Sequence, residues 1–163
     1  MIFGMTTFTF VHVVLSLIGI LSGLVVVFGM LSANRLHGWT AVFLSTTVLT
    51  SVTGFLLPFH KFLPSHAVGI VSSIVLLFAL LGRYAFHLAG SWRRIYVITA
   101  VIALYLNVFV LIAQLFSKVP ALKALAPTQS EPPFLVSQLI VMAIFIGLGI
   151  AAAKKFHPEP ALA

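Results

Sequence analysis

The tightest constraint on this chain is the near absence of charge over long stretches. Residues 6–31, 37–59, 95–117 and 132–153 contain no Asp, Glu, Lys or Arg, and residues 65–88 contain Arg83 alone. Crossing a bilayer core takes about 20 mostly apolar residues in helical form, and each segment is long enough. Backbone groups in hydrocarbon must satisfy their hydrogen bonds within the segment, so the runs read as helices; a barrel would show short alternating strands. The sequence therefore predicts an all-α integral membrane bundle of five transmembrane helices. It forms one domain over residues 1–156, with a short tail at 157–163. Composition agrees, with 7% charged and 61% hydrophobic residues where a soluble domain carries about 25% charged. The first run lacks a basic leader region and a small-residue cleavage site and is too long for a signal-peptide core, so it is expected to stay as a helix.

The breaks between runs carry turn chemistry. They read SANRLHG (32–38), HKFLPSH (60–66, preceded by Pro58), AGSWRR (89–94) and KVPALKALAPTQSEPPF (118–134). Pro132 and Pro133 suit the first turn of the fifth helix, where a missing N–H costs nothing. Five spans put the two ends on opposite sides. Lys61, Lys118 and Lys123 fall on the first side. Arg35, Arg93, Arg94, Lys154 and Lys155 fall on the other, with Arg83 one turn inside and able to snorkel outward. The positive-inside rule then places the N-terminus outside and the C-terminus in the cytoplasm of a bacterial-type inner membrane. Trp39, Tyr84, Trp92 and Tyr96 sit near the cytoplasmic ends as an aromatic belt. The net charge of +7 is spread over loops, which fits contact with lipid headgroups and not with nucleic acid.

Much chemistry is excluded by what is missing. With no Cys there is no disulfide, iron–sulfur cluster or C-x-x-C-H haem attachment. The two acidic residues, Glu131 and Glu159, lie outside the spans and leave no carboxylate pair for acid–base work. Without Asp there is no Ser-His-Asp set, and no phosphate-binding glycine motif is present.

Histidine is the residue type that carries a lead. His12 lies within the first run, and His60 and His66 flank the HKFLPSH turn at the same, outer, end. His37 and His87 share the cytoplasmic end. An ionisable residue inside a span is a functional candidate by default. Haem b is held without cysteine by imidazoles from facing helices, which makes His37 with His87, and His12 with His66, the candidate ligand pairs. The nominal depths of His12 and His66 differ by ~7 Å, part of which helix tilt can close. His12, His60 and His66 are also a candidate zinc or copper set. A quinone is the third option, held by His12 with the amide of Gln114 or Gln138.

Three helix faces are small or polar. His12, Ser16, Gly19 and Gly23 share one face of the first span, as Thr46, Thr50, Thr53 and Gly54 do in the second. Gly19 and Gly23 allow close backbone approach, either within the bundle or to another membrane protein. Asn107 and Gln114 are seven residues apart on one face of the fourth span. A buried amide needs a partner, so that face should point inward.

FVHVVLSLIGILSGLVVVFGML, followed by RLHGWTAVF, resembles the start of small uncharacterised bacterial multi-pass inner-membrane proteins, mainly over residues 8–60. That resemblance implies no known activity. The histidine layout is distantly similar to small cytochrome b membrane proteins. This implies haem ligands drawn from His12, His37, His66 and His87. Taken together, the sequence predicts a small redox-linked membrane protein binding haem b or quinone. The alternatives are a non-catalytic accessory or assembly subunit of a larger membrane complex, and a small permease.

Overall fold

A computed structural model describes residues 4–57 and 64–157, and every element in it is helical. The elements are α1 (Thr7–Leu31), α2 (His37–Leu56), α3 (Pro64–Leu80) running into a π-helical turn (Leu81–Ala85), α4 (Ser91–Lys118), a short α5 (Pro120–Leu125) and α6 (Pro132–Lys155). Five of them are long and apolar enough to cross a membrane. Helix α4 begins earlier than the sequence predicts, directly after Gly90, whose φ of 52° puts it in the left-handed region that glycine tolerates. Phe86 and Trp92 stack at 4.0 Å across this turn. The connection 118–134, read from sequence as loop, contains α5, started by Pro120.

Local signals explain the helix ends. Thr6 caps α1 by accepting from the Thr9 amide at 3.2 Å. Glu131 precedes the Pro132–Pro133 start of α6, and its carboxylate accepts from the Thr128 hydroxyl at 2.7 Å and from the Thr128 and Ser130 amides. The Thr128 hydroxyl foremost holds the Glu131 carboxyl below the usual carboxylate range.

Helix α4 is the centre of the bundle, packing against α1, α3 and α6, while α1 pairs along its length with α2 and α2 meets α3. Ala100 and Ala103 are fully buried on α4, where short side chains let neighbouring helices come close. On α1 the buried set Gly19, Gly23, Val26, Val27 and Met30 follows helical spacing. The outward faces are apolar too. Leu21 is 65% exposed and Leu56 66%, a surface that suits lipid and not water. Gly23 is the tightest point at which α1, α2 and α4 meet. A Cβ there would lie 2.7 Å from Leu104 Cδ1 and 2.8 Å from Phe43 Cε2.

Two outcomes follow from this packing and capping. Gly23→Val should wedge α1 off Phe43 and Leu104 and cost about 1–3 kcal/mol, read as an earlier unfolding midpoint in a denaturing-detergent titration, with Gly38→Val, whose Cβ meets nothing within 4 Å, as the silent control. In carbon-detected NMR, the Glu131 carboxyl should titrate below free glutamate, and Thr128→Ala should move it up. Because the folded value is the depressed one, the loop order it contributes is present at neutral pH and is lost as pH falls through that value.

Candidate functional site

The polar side chains of the spans gather at two heights. One group lies at the end where α1 begins and α2 finishes. His12 is half-buried there, and its Nδ1 is 2.8 Å from Thr53 Oγ1. The Thr53 hydroxyl has one proton, and it points back to the Leu49 carbonyl at 2.7 Å. Thr53 therefore accepts from His12, so Nδ1 carries the imidazole proton and Nε2 keeps its lone pair. Gly54 leaves room beside the ring, since a Cβ there would stand 3.4 Å from His12 Cε1. Ser16 donates to the His12 carbonyl at 3.0 Å and not to the imidazole.

Deeper along the same seam, Asn107 of α4 donates to Thr47 Oγ1 at 3.4 Å. A Cβ on Gly19 would stand 3.2 Å from Thr47 Oγ1 and 3.3 Å from Thr46 Oγ1. Thr50 Oγ1, on the same helix as Thr53, is buried without a hydrogen-bond partner. The His12/Ser16/Gly19/Gly23 face is thus turned to α2 and α4 inside the chain, because its small residues are what allow those helices to approach.

Gln138 lies at this end of α6 and is buried. Its Nε2 donates to the Phe109 carbonyl of α4 at 3.1 Å, while Oε1 is buried without a partner. Gln114 is exposed and is not the partner of Gln138. At that height the inner surface of α4 belongs to Phe116, packed edge-on against Phe134 with centroids 5.4 Å apart. His66 is buried at the start of α3. His60 lies outside the described residues, and among the described residues no three His or acidic side chains converge on a metal-sized site.

The second group lies at the opposite, basic end. Arg83 does not snorkel outward. The π turn carries it inward until it is 6% exposed. One terminal nitrogen, NH2, donates to the Arg35 carbonyl and to His37 Nδ1, both at 3.1 Å. The guanidinium carbon lies 5.6 Å from the centre of the Tyr96 ring. Thr40 adds a hydroxyl to the same Arg35 carbonyl at 3.2 Å. An arginine has no lone pair to offer, so His37 Nδ1 is the acceptor and its proton sits on Nε2. While this bond stands, His37 has no open lone pair for a metal. His87 is exposed, past the end of the helix, with φ of 48°. It is held there because the amide of Leu88 turns back to the Gly82 carbonyl at 2.9 Å. The basic end is a structural latch in which Arg83 NH1 and Arg35 Nε stay buried without an acceptor, while the buried acceptors without a donor, Thr50 Oγ1 and Gln138 Oε1, lie toward the His12 end. The signal for the latch was in the sequence as the single charge inside residues 65–88; the partners of that charge were not.

Arg83→Met and Arg83→Lys should both loosen the junction of α2, α3 and α4, by about 1.5–3 kcal/mol as for hydrogen bonds to a charged group. Lysine should rescue only in part: one ammonium can replace NH2 at both acceptors, but the contact of the guanidinium with the Tyr96 ring is lost. Proteolysis of the 32–36 turn in detergent, faster in both variants, is the measurement.

Comparison with family models, with curated proteins and with solved structures finds no match to this chain, so its function has to be read from this geometry.

Proposed function

We propose that this chain is a small redox-linked protein of a bacterial inner membrane, with the His12 end outside and the basic end in the cytoplasm, and that it binds quinone or its hydroquinone at the His12 end. The observation that carries the reading is the pair of unsatisfied acceptors there. His12 Nε2 keeps a lone pair because Thr53 fixes the proton on Nδ1, and Gln138 Oε1 is buried without a donor. Both residues stand ~8–9 Å along their helices from the same end of the bundle. Gln138 Oε1 is a buried acceptor without a donor, which is costly, and with the open lone pair of half-buried His12 at a similar depth it matches a flat apolar ligand with two hydroxyl donors. A hydroquinone is such a ligand. The groups of this chain would orient it: imidazole and amide accept its protons, and apolar helix walls hold the ring and tail.

Haem b is the second reading, favoured by buried His66 at the same end and by the His12 tautomer. Metal-bound imidazole is ordinarily held through its other ring N–H in this manner.

The test is purification in mild detergent from haem-competent cells, with organic extraction and mass spectrometry for quinone and visible spectra before and after dithionite. The expected result is bound hydroquinone, recovered as quinone after extraction in air and depleted about fivefold or more by His12→Ala, the loss of one hydrogen bond of ordinary strength, with helicity unchanged. Thr53→Val should weaken retention in the same direction by freeing the tautomer. A Soret band that disappears in His12→Ala would move the assignment to haem. Colourless, quinone-free protein would sink both and favour the accessory-subunit alternative.

A further inference from the structure

Two adjacent arginines at the start of α4 have different environments. Arg93 is committed within the chain, donating through NH1 to the Ala153 and Phe156 carbonyls and so closing the C-terminal end of α6. Arg94, one position on and therefore about 100° around the helix, faces a groove between α4 and α6 with a volume of about 900 Å³. Ligand clefts typically hold ~300–1,000 Å³. The groove walls are apolar, built from Ile98, Ile102 and Tyr105 on α4 and Phe145 and Ile146 on α6, and Arg94, Lys154 and His157 gather at one mouth. Gly149 also lines the groove, and a Cβ there would make an ordinary 3.5 Å contact with Val101 Cγ1. Among the described residues neither Arg94 nor Lys154 has a carboxylate partner, the described acid being Glu131 at the far end of α6.

We infer that this groove is a binding site for an anionic phospholipid, with the phosphate headgroup at Arg94 and Lys154 and one acyl chain along the α4–α6 seam. The dimensions support a lipid. From Arg94 to Leu106, the span of the α4 wall, is ~18 Å at 1.5 Å per residue, close to the ~15 Å depth of one leaflet. Charge selects the headgroup. Two unpaired cations at a membrane–water boundary attract a net negative lipid, whereas a zwitterionic one brings a cation of its own. The site is at the opposite end from His12 and stands independently of the redox reading.

Native mass spectrometry of the full-length protein in mild detergent, titrated with phosphatidylglycerol or phosphatidylcholine of matched chains, tests this. Phosphatidylglycerol should bind about tenfold more tightly or better, given two basic residues near the headgroup. Arg94→Gln/Lys154→Gln should remove that preference. Gly149→Leu, which fills part of the groove and keeps the cations, should weaken both lipids, and millimolar inorganic phosphate should not displace the bound lipid. Lys118→Gln/Lys123→Gln, at the other end, should change nothing. Equal affinity for the two lipids, an undiminished preference in Arg94→Gln/Lys154→Gln, unchanged binding in Gly149→Leu, or displacement by phosphate alone would each overturn the assignment.

Discussion

In a bundle whose outward faces are apolar, a buried hydroxyl, amide or guanidinium has to look for its partner inside the protein, and this requirement shapes the molecule more than any other. Most hydroxyls meet it locally. Ser22, Thr46, Thr47, Ser51, Thr53, Ser73 and Thr99 each turn back to the carbonyl four residues earlier, as Ser and Thr can in helices. Having spent its proton, such a hydroxyl becomes an acceptor for someone else. Thr53 then fixes His12, and Thr47 receives Asn107. The polar seam is therefore a set of acceptors created by helix backbone, and its chemistry follows from where those protons went.

That bookkeeping also separates the two histidine tiers. His37 is pinned by a donor and left with a protonated outer nitrogen. His12 is pinned by an acceptor and left with an open one. Identical side chains in similar apolar helices are thus given opposite capacities by one neighbouring atom, Arg83 NH2 in one case and Thr53 Oγ1 in the other.

The long apolar helices were legible because hydropathy works at the scale of whole helices: the runs at 6–31, 37–59, 95–117 and 132–153 end within a few residues of α1, α2, α4 and α6 where they can be compared. Pro132 and the inward amide of Asn107 were readable for local reasons. Residue-level outcomes set by tertiary register were not. Gln114 shares a helical face with Asn107, yet aromatic packing of Phe116 against Phe134 takes the interior at its height. Gln138 was a candidate amide, but its partner is a backbone carbonyl, and carbonyls carry no sequence signature. Arg83 looked like a cation at the rim because a regular helix through residues 65–88 would leave it there. No periodicity announces a π turn.

That turn has an implication for how the chain tolerates insertions and deletions. It closes with the Phe86 amide on the Leu81 carbonyl at 2.9 Å, one residue wider than α-helical winding. Loss of a single codon between 81 and 83 would let the segment rewind as ordinary helix. The guanidinium would swing by about 100°, from the space between Tyr96 and His37 toward the bundle exterior. A frame-preserving deletion with no change of residue type elsewhere would thus convert an interior clasp into a peripheral cation, so this short stretch should be the least length-tolerant part of α3.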